Sequence, residues 1–247
     1  MRAGGNNDLI RPFLFLTLYP ALFGRLLQRN LMKFSVTVIG LGVFGSTVAL
    51  ELARLRQEVL GIDLNPQRVD EIADRISQAV VADARDERVL QELGVGESDV
   101  VVVAIGEDIE ANVLATLLAK SMPKPKVWVK ARTFKQHQIL QKLGADHIVH
   151  PEHEMGLRVA RTLLYPEVED YMSLGDDYFN VEVRASERLS GKTLEALPLP
   201  EHGLKCLLIK HGETVMAPPD ESYRFEVGDQ IMLLGTLANL RKISKYL

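Results

Sequence analysis

The strongest constraint on this fold lies in Val36-Thr37-Val38-Ile39-Gly40-Leu41-Gly42-Val43-Phe44-Gly45, a β-branched run that passes straight into G-x-G-x-x-G. A helical pattern follows through Val48, Leu52 and Leu55, and Asp63 closes the next apolar run. The order is strand, glycine turn, helix, strand, acid. Gly40 permits the tight turn, Gly42 lets backbone approach a pyrophosphate, and Gly45 lets the helix pack on the strand. The unpaired N–H groups at the helix start then face the phosphates. Asp63 lies 23 residues after Gly40, where a ribose-binding carboxylate belongs. In this context the motif predicts an adenine-nucleotide site. The competing reading is a purely structural glycine turn.

Beyond Asp63, strand and helix signals alternate. Strands are expected at 34–39, 58–63, 78–82, 100–105, 126–131 and 147–149, with helices after Gly42, at Pro66, after Asp86, over 108–121 and over 133–143. Proline suits a first helical turn at Pro66. The unbroken apolar run 100–105 reads as a strand buried on both faces. Such alternation predicts a parallel, doubly wound sheet with helices on both faces.

The pattern changes after Pro151. Met155 to Leu164 reads as an amphipathic helix, and Glu167 to Asp177 as a polar, acidic connection. Strands are then expected at 179–184, 204–210 and 230–234, and a closing helix at 237–246. The organisation expected is an atypical leader (1–31), a nucleotide-binding domain (32–150), a crossover helix and linker (151–175) and a small α+β domain (176–247). Leu9 to Leu27 is largely apolar but interrupted by Arg11, Pro12, Pro20, Gly24 and Arg25. A membrane anchor, a secretory signal and initiation at Met32 compete as explanations. The first expected strand follows at once after Met32-Lys33, which favours the last.

The net charge of −4 supplies no overall basic field for nucleic acid. One cysteine, Cys206, rules out a disulfide framework or a CxxC site, and its apolar neighbours predict a buried structural thiol.

From Met32 onward the chain resembles a two-domain RCK protein, the cytosolic regulatory subunit of bacterial potassium uptake systems of the Ktr/Trk type. The N-terminal resemblance rests on V-I-G-L-G-V-F-G at 38–45, I-D at 62–63, A-D-A-R-D at 82–86 and L-G-A-D-H-I-V-H-P-E at 143–152. The C-terminal resemblance rests on L-S-G-K-T-L-E-A-L at 189–197 and F-E-V-G-D-Q-I-M-L-L-G at 225–235. It implies a Rossmann-like RCK-N domain followed by a small α+β TrkA-C (RCK-C) domain. It also implies binding of ATP or ADP, with NAD(H) as the alternative ligand. The assembly implied is a homo-oligomer, dimers forming a ring such as an octamer. That ring would dock on a membrane-embedded potassium translocating subunit, so the protein would be cytoplasmic and peripheral on the inner face of the plasma membrane.

By the same resemblance, Gly40, Leu41, Gly42, Val43, Phe44 and Gly45 form the phosphate loop and Asp63 is the ribose acid. A carboxylate there disfavours a 2′-phosphate. Asn65 adds a polar contact to the ribose or serves only the turn. Asp83 and Ala84 fall where the family contacts adenine, and Ile105 and Gly106 end the fourth strand beside the crevice. Glu152 matches a divalent-cation position near the γ-phosphate, and carboxylate oxygens suit Mg²⁺ or Ca²⁺. His147, His150 and His153 invite a transition-metal reading against that of ordinary surface or capping histidines. Val43 departs from the family, which carries arginine there to bind the γ-phosphate. An apolar side chain cannot neutralise that charge, so another basic residue or a metal ion has to. In the family, the helix around 155–164 exchanges between partners, which predicts a dimer seam.

The alternative function is a small NAD(H)-dependent oxidoreductase or redox sensor, which a dinucleotide fold permits. No Tyr-x-x-x-Lys pair, no ordered Ser/His/Asp set and no Walker lysine supports it, so a non-enzymatic role is expected.

Overall fold

The computed structural model describes residues 34–164, 168–243 and Tyr246. The leader expected at 1–31 lies outside the described residues. Among the described residues no helix is long and apolar enough to cross a membrane. They fall into two compact units, one ending at Met155 and one beginning at Gly156.

The first unit holds β1 (Ser35–Ile39), α1 (Val43–Arg54), β2 (Glu58–Asp63), α2 (Pro66–Asp70), β3 (Gln78–Val81), α3 (Glu87–Glu92), β4 (Val100–Val103), α4 (Ile109–Ser121), β5 (Lys126–Lys130), α5 (Phe134–Lys142) and β6 (His147–Val149). The six strands form one sheet in the order β3-β2-β1-β4-β5-β6, and every pairing is parallel. The order reverses between β1 and β4, and such a switch point opens a crevice at the carboxyl ends of the strands. Alternation along β1 feeds two cores. Val36 and Val38 pack with Leu41, Ala49, Val59 and Val69. Ile39 packs with Ile62, Val101, Val103, Val127 and Leu140. Thr37 is fully buried, and its hydroxyl is satisfied by Ser98 Oγ at 2.8 Å.

Side chains start the helices where the orphan N–H groups need acceptors. Asn65 accepts from Gln67 N, Asp86 from Arg88 N, Asp108 from Ala111 N and Thr133 from Gln136 N. Gly94 and Gly144 follow the ends of α3 and α5 with positive φ, the backbone state glycine tolerates best.

Helix α6 (Pro151–Leu164) starts four residues earlier than the reading from Met155, because Pro151 takes the first helical position. Glu152 and Glu154 fall in its first turn, where the helix dipole favours negative charge.

The second unit carries β7 (Val168–Gly175), β8 (Tyr178–Arg184), β9 (Lys205–His211), β10 (Thr214–Met216), β11 (Gln230–Thr236) and α7 (Leu237–Ile243). The strands form an antiparallel sheet in the order β10-β9-β11-β8-β7. Phe179, Val181, Val183, Ile209, Ile231 and Leu233 fill its core, closed by Leu189 and Phe225. Two strands depart from the sequence reading. Residues 168–175, read as part of a linker, form β7 along β8. Register shifts beside Asp170 and Ser173 break its alternation, which is why it reads as polar connection. The short β10 is mostly exposed and carries too weak an apolar pattern to be read. Asp229 is buried and receives Tyr223 Oη at 2.9 Å, Glu226 N at 2.8 Å and a His211 contact at 2.8 Å.

Candidate nucleotide site

The loop between β1 and α1 joins two different constraints. Gly40 has φ +94°, and a Cβ there would stand 2.9 Å from Ile105 N, so backbone conformation and space both require glycine. At Gly45 a Cβ would stand 1.8 Å from Gly40 O, so the helix can lie against the turn only without a side chain. Gly42 differs from both. Its φ is −67°, and among the described residues nothing lies within 4 Å of where its Cβ would be. No described residue requires glycine there, and among the described residues the space above it is open. Gly42 is also the N-cap of α1, with no side-chain cap and no acid in the first turn. The N–H groups of that turn therefore keep their donor capacity for an anion.

Asp63, at the end of β2, is buried. Its Oδ2 accepts from Leu41 N at 2.6 Å and its Oδ1 from Asn65 N at 2.8 Å. Arg68 Nη1 approaches Oδ2 to 3.6 Å from α2. The carboxylate thus holds the glycine loop, and each oxygen keeps a further lone pair for another donor. Asn65 spends its side-chain oxygen on capping α2. Asp83 pairs with Arg85 at 2.7 Å, and this hydrogen-bonded guanidinium holds its carboxyl below the usual range. Ala84 is buried in the core beside them. Ile105 and Gly106 follow β4, with Ile105 N against Gly40. Val43 is 89% exposed, and Phe44 packs partly into the core.

Lys130, the last residue of β5, was not singled out in the sequence. Its side chain is only 12% exposed, with Nζ 2.5 Å from Glu152 Oε1 and 5.8 Å from the centre of the Phe44 ring. A Cβ on Gly106 would stand 3.3 Å from Nζ. The ammonium therefore sits between the glycine loop and the end of β4. Its hydrogen bond holds the Glu152 carboxyl below the usual carboxylate range. The signal available in the sequence was a lysine closing the run Lys126-Val127-Trp128-Val129-Lys130 at the edge where crevices open.

The three histidines near β6 have different neighbours. His147 lies against Trp128, with ring centres 4.1 Å apart. His150 stacks on His137, with Nε2 2.9 Å from His137 Nδ1. His153 meets Phe134 edge-on. Among the described residues no group of three or more His, Cys, Asp or Glu side chains is placed to hold a metal ion. Glu152 alone offers one carboxylate, and it is already paired with Lys130. Cys206 is half-buried in the second unit, where burial pushes its thiol up to about 12.

Residues 36–151 match the TrkA-N domain and residues 179–247 the TrkA-C domain. Ktr system potassium uptake protein A of Vibrio alginolyticus is 43% identical over 199 residues, 80% of this chain and 90% of that protein. The chain belongs to the Ktr potassium uptake protein family. Its Bacillus subtilis relatives, Ktr system potassium uptake proteins A and C, are 38% and 36% identical over 93% and 97% of their lengths. Among solved structures, the GsuK RCK domain superposes with a TM-score of 0.61 at 14% identity, covering 87% of this chain and 48% of that one. The GsuK channel bound to NAD gives 0.57 at 15% identity, over 95% of this chain and 44% of that chain. These two likenesses show a shared fold, and this chain spans about half the length of each of those two chains.

Proposed function

We propose that the chain is a nucleotide-binding regulatory subunit of a potassium uptake system, not an enzyme. The observation that carries this reading is the open phosphate cradle over Gly42, backed by the Lys130 ammonium. The names of its Ktr relatives support the potassium system, and the fold it shares with an NAD-bound channel supports a nucleotide as the signal. The ligand is ATP or ADP, with NAD(H) as the competitor. Lys130 supplies the positive charge that Val43 lacks and grips a terminal phosphate. Glu152 is the residue available to a Mg²⁺ or Ca²⁺ ion once phosphate oxygens complete the donor set. Such an ion would add neutralising charge beside the phosphates.

The partner is a membrane-embedded translocating subunit, on whose cytoplasmic face a ring of these chains docks. Self-assembly is supported by α6, which leaves Met155, Leu157, Leu163 and Leu164 exposed on a helix that begins beside the nucleotide site. A nucleotide gates such a ring only by its difference in affinity for two ring shapes.

Calorimetric titration with ATP, ADP, NADH and NAD⁺ tests the reading. Gly42→Ala is the decisive variant, because the free protein has room for that methyl and the phosphate does not. The expected result is adenine-nucleotide binding in the parent and its loss in a normally folded Gly42→Ala. Equal affinity in both would remove the cradle from the account.

A further inference from the structure

Resting on the phosphate role proposed for Lys130, we infer that Asn112 is a positioning residue for nucleotide binding, holding the two strand ends that carry Gly106 and Lys130. Asn112 is fully buried in the first turn of α4. Its Nδ2 donates to Ile105 O at 2.8 Å and to Lys130 O at 3.1 Å. The β4–β5 pairing ends at Val103 and Val129. Both carbonyls therefore lie beyond the ladder, where the strands part to form the crevice. One side-chain amide does there what the ladder no longer does.

The orientation of that amide is set by chemistry. Turned over, Oδ1 would face two carbonyl oxygens with no proton between them. The arrangement also has a cost, since Oδ1 is buried with no partner among the described residues. An orphaned buried acceptor calls for a reason, and the two strand ends supply it. Ile105 N lies against Gly40, and Lys130 Nζ lies over Phe44. Asn112 thus ties α4 to both sides of the phosphate cradle while remaining buried itself. Gln136 secures the same segment from α5, its Oε1 accepting from Arg132 N at 2.9 Å.

A role exerted through Lys130 differs measurably from a general packing role. The test is a double-mutant cycle on ATP affinity, with Asn112→Ala and Lys130→Met singly and together, in the full chain. Asn112→Ala is expected to weaken ATP binding about tenfold beside Lys130 and less than about twofold on the Lys130→Met background. Asn112→Ser, which keeps one donor, should fall between parent and Asn112→Ala. Trp128 fluorescence, from the neighbouring β5, checks folding. Equal losses on both backgrounds, or no loss beside Lys130, would overturn the inference while leaving the phosphate site intact. Variants that do not fold would assign Asn112 to the scaffold and overturn it too. A parent that does not bind ATP, or a Lys130→Met variant that binds it normally, would instead refute the underlying reading of Lys130 and this inference with it.

Discussion

Asp63→Ala should destabilise the first unit before any nucleotide is added. The carboxylate accepts from Leu41 N at 2.6 Å and from Asn65 N at 2.8 Å. Leu41 is buried, so its N–H loses a charged acceptor where little water reaches. A buried hydrogen bond to a charged group contributes roughly 1.5–3 kcal/mol. Asn65 is exposed, and its N–H can turn to water, so its loss costs under about 1 kcal/mol. The expected destabilisation is therefore about 2–4 kcal/mol. With a urea dependence of about 2 kcal/mol per molar, the midpoint falls by about 1–2 M. The assay is urea unfolding of nucleotide-free protein followed by fluorescence. The chain has one tryptophan, Trp128, and it lies on β5, so the signal reports this unit. Asp63→Asn should recover little, because its NH₂ group presents a donor to one of the two backbone donors. An Asp63→Ala midpoint within about 0.3 M of the parent would refute the reasoning, and would leave the ribose as the only account of this acid. Loss of nucleotide binding in Asp63→Ala alone would not separate the two roles. Gly42→Ala does, because it leaves the loop's own bonds in place.

Three further outcomes follow from the same geometry. Gly45→Ala must push Gly40 O from a 1.8 Å contact, so unlike Gly42→Ala it should lower stability by about 1–3 kcal/mol, read by the same urea curve. Lys130→Met should weaken ATP binding roughly 10- to 100-fold by calorimetry, the value of one charge-assisted bond to phosphate. His150 should titrate below the ordinary value of 6.5, because burial first and the neighbouring His137 second disfavour its charged form, with His153 adding to this and Glu154 opposing it. Its folded pKa is depressed, so its contribution to stability is present above about pH 6.5 and is lost as pH falls through the lower folded value. Histidine NMR should show that titration, and His137→Ala should move it upward.

The first unit was legible because its strands are continuous apolar runs between clear breakers. The range 147–149 was read to the residue, and the caps Asp86 and Asp108 stand where side-chain acceptors start helices. The second unit was less so. In β7, Glu169, Asp170 and Ser173 hide a strand whose bulges spoil the period of two. The glycine loop is a local motif and could be placed from spacing alone. Lys130 had only a weak signal, its place at the end of an apolar run, because its contacts with Glu152, Phe44 and Gly106 form where β5, α6, α1 and the end of β4 meet. Asn112 was hidden for the same reason: its partners are 7 and 18 residues away and are backbone carbonyls, which carry no side-chain signature. The hold of Asp63 on Leu41 N also needed the loop folded back over β2 to become visible.

The central claim is that a nucleotide acting on this chain controls potassium uptake. It is tested most directly by potassium flux into proteoliposomes holding the membrane translocating subunit, with and without this protein, in ATP, ADP, NADH or no nucleotide. The account predicts flux that depends on the added chain, that differs between nucleotides, and that stops responding to them in Gly42→Ala. Flux that is indifferent to the chain, or that responds equally in the parent and in Gly42→Ala, would contradict it.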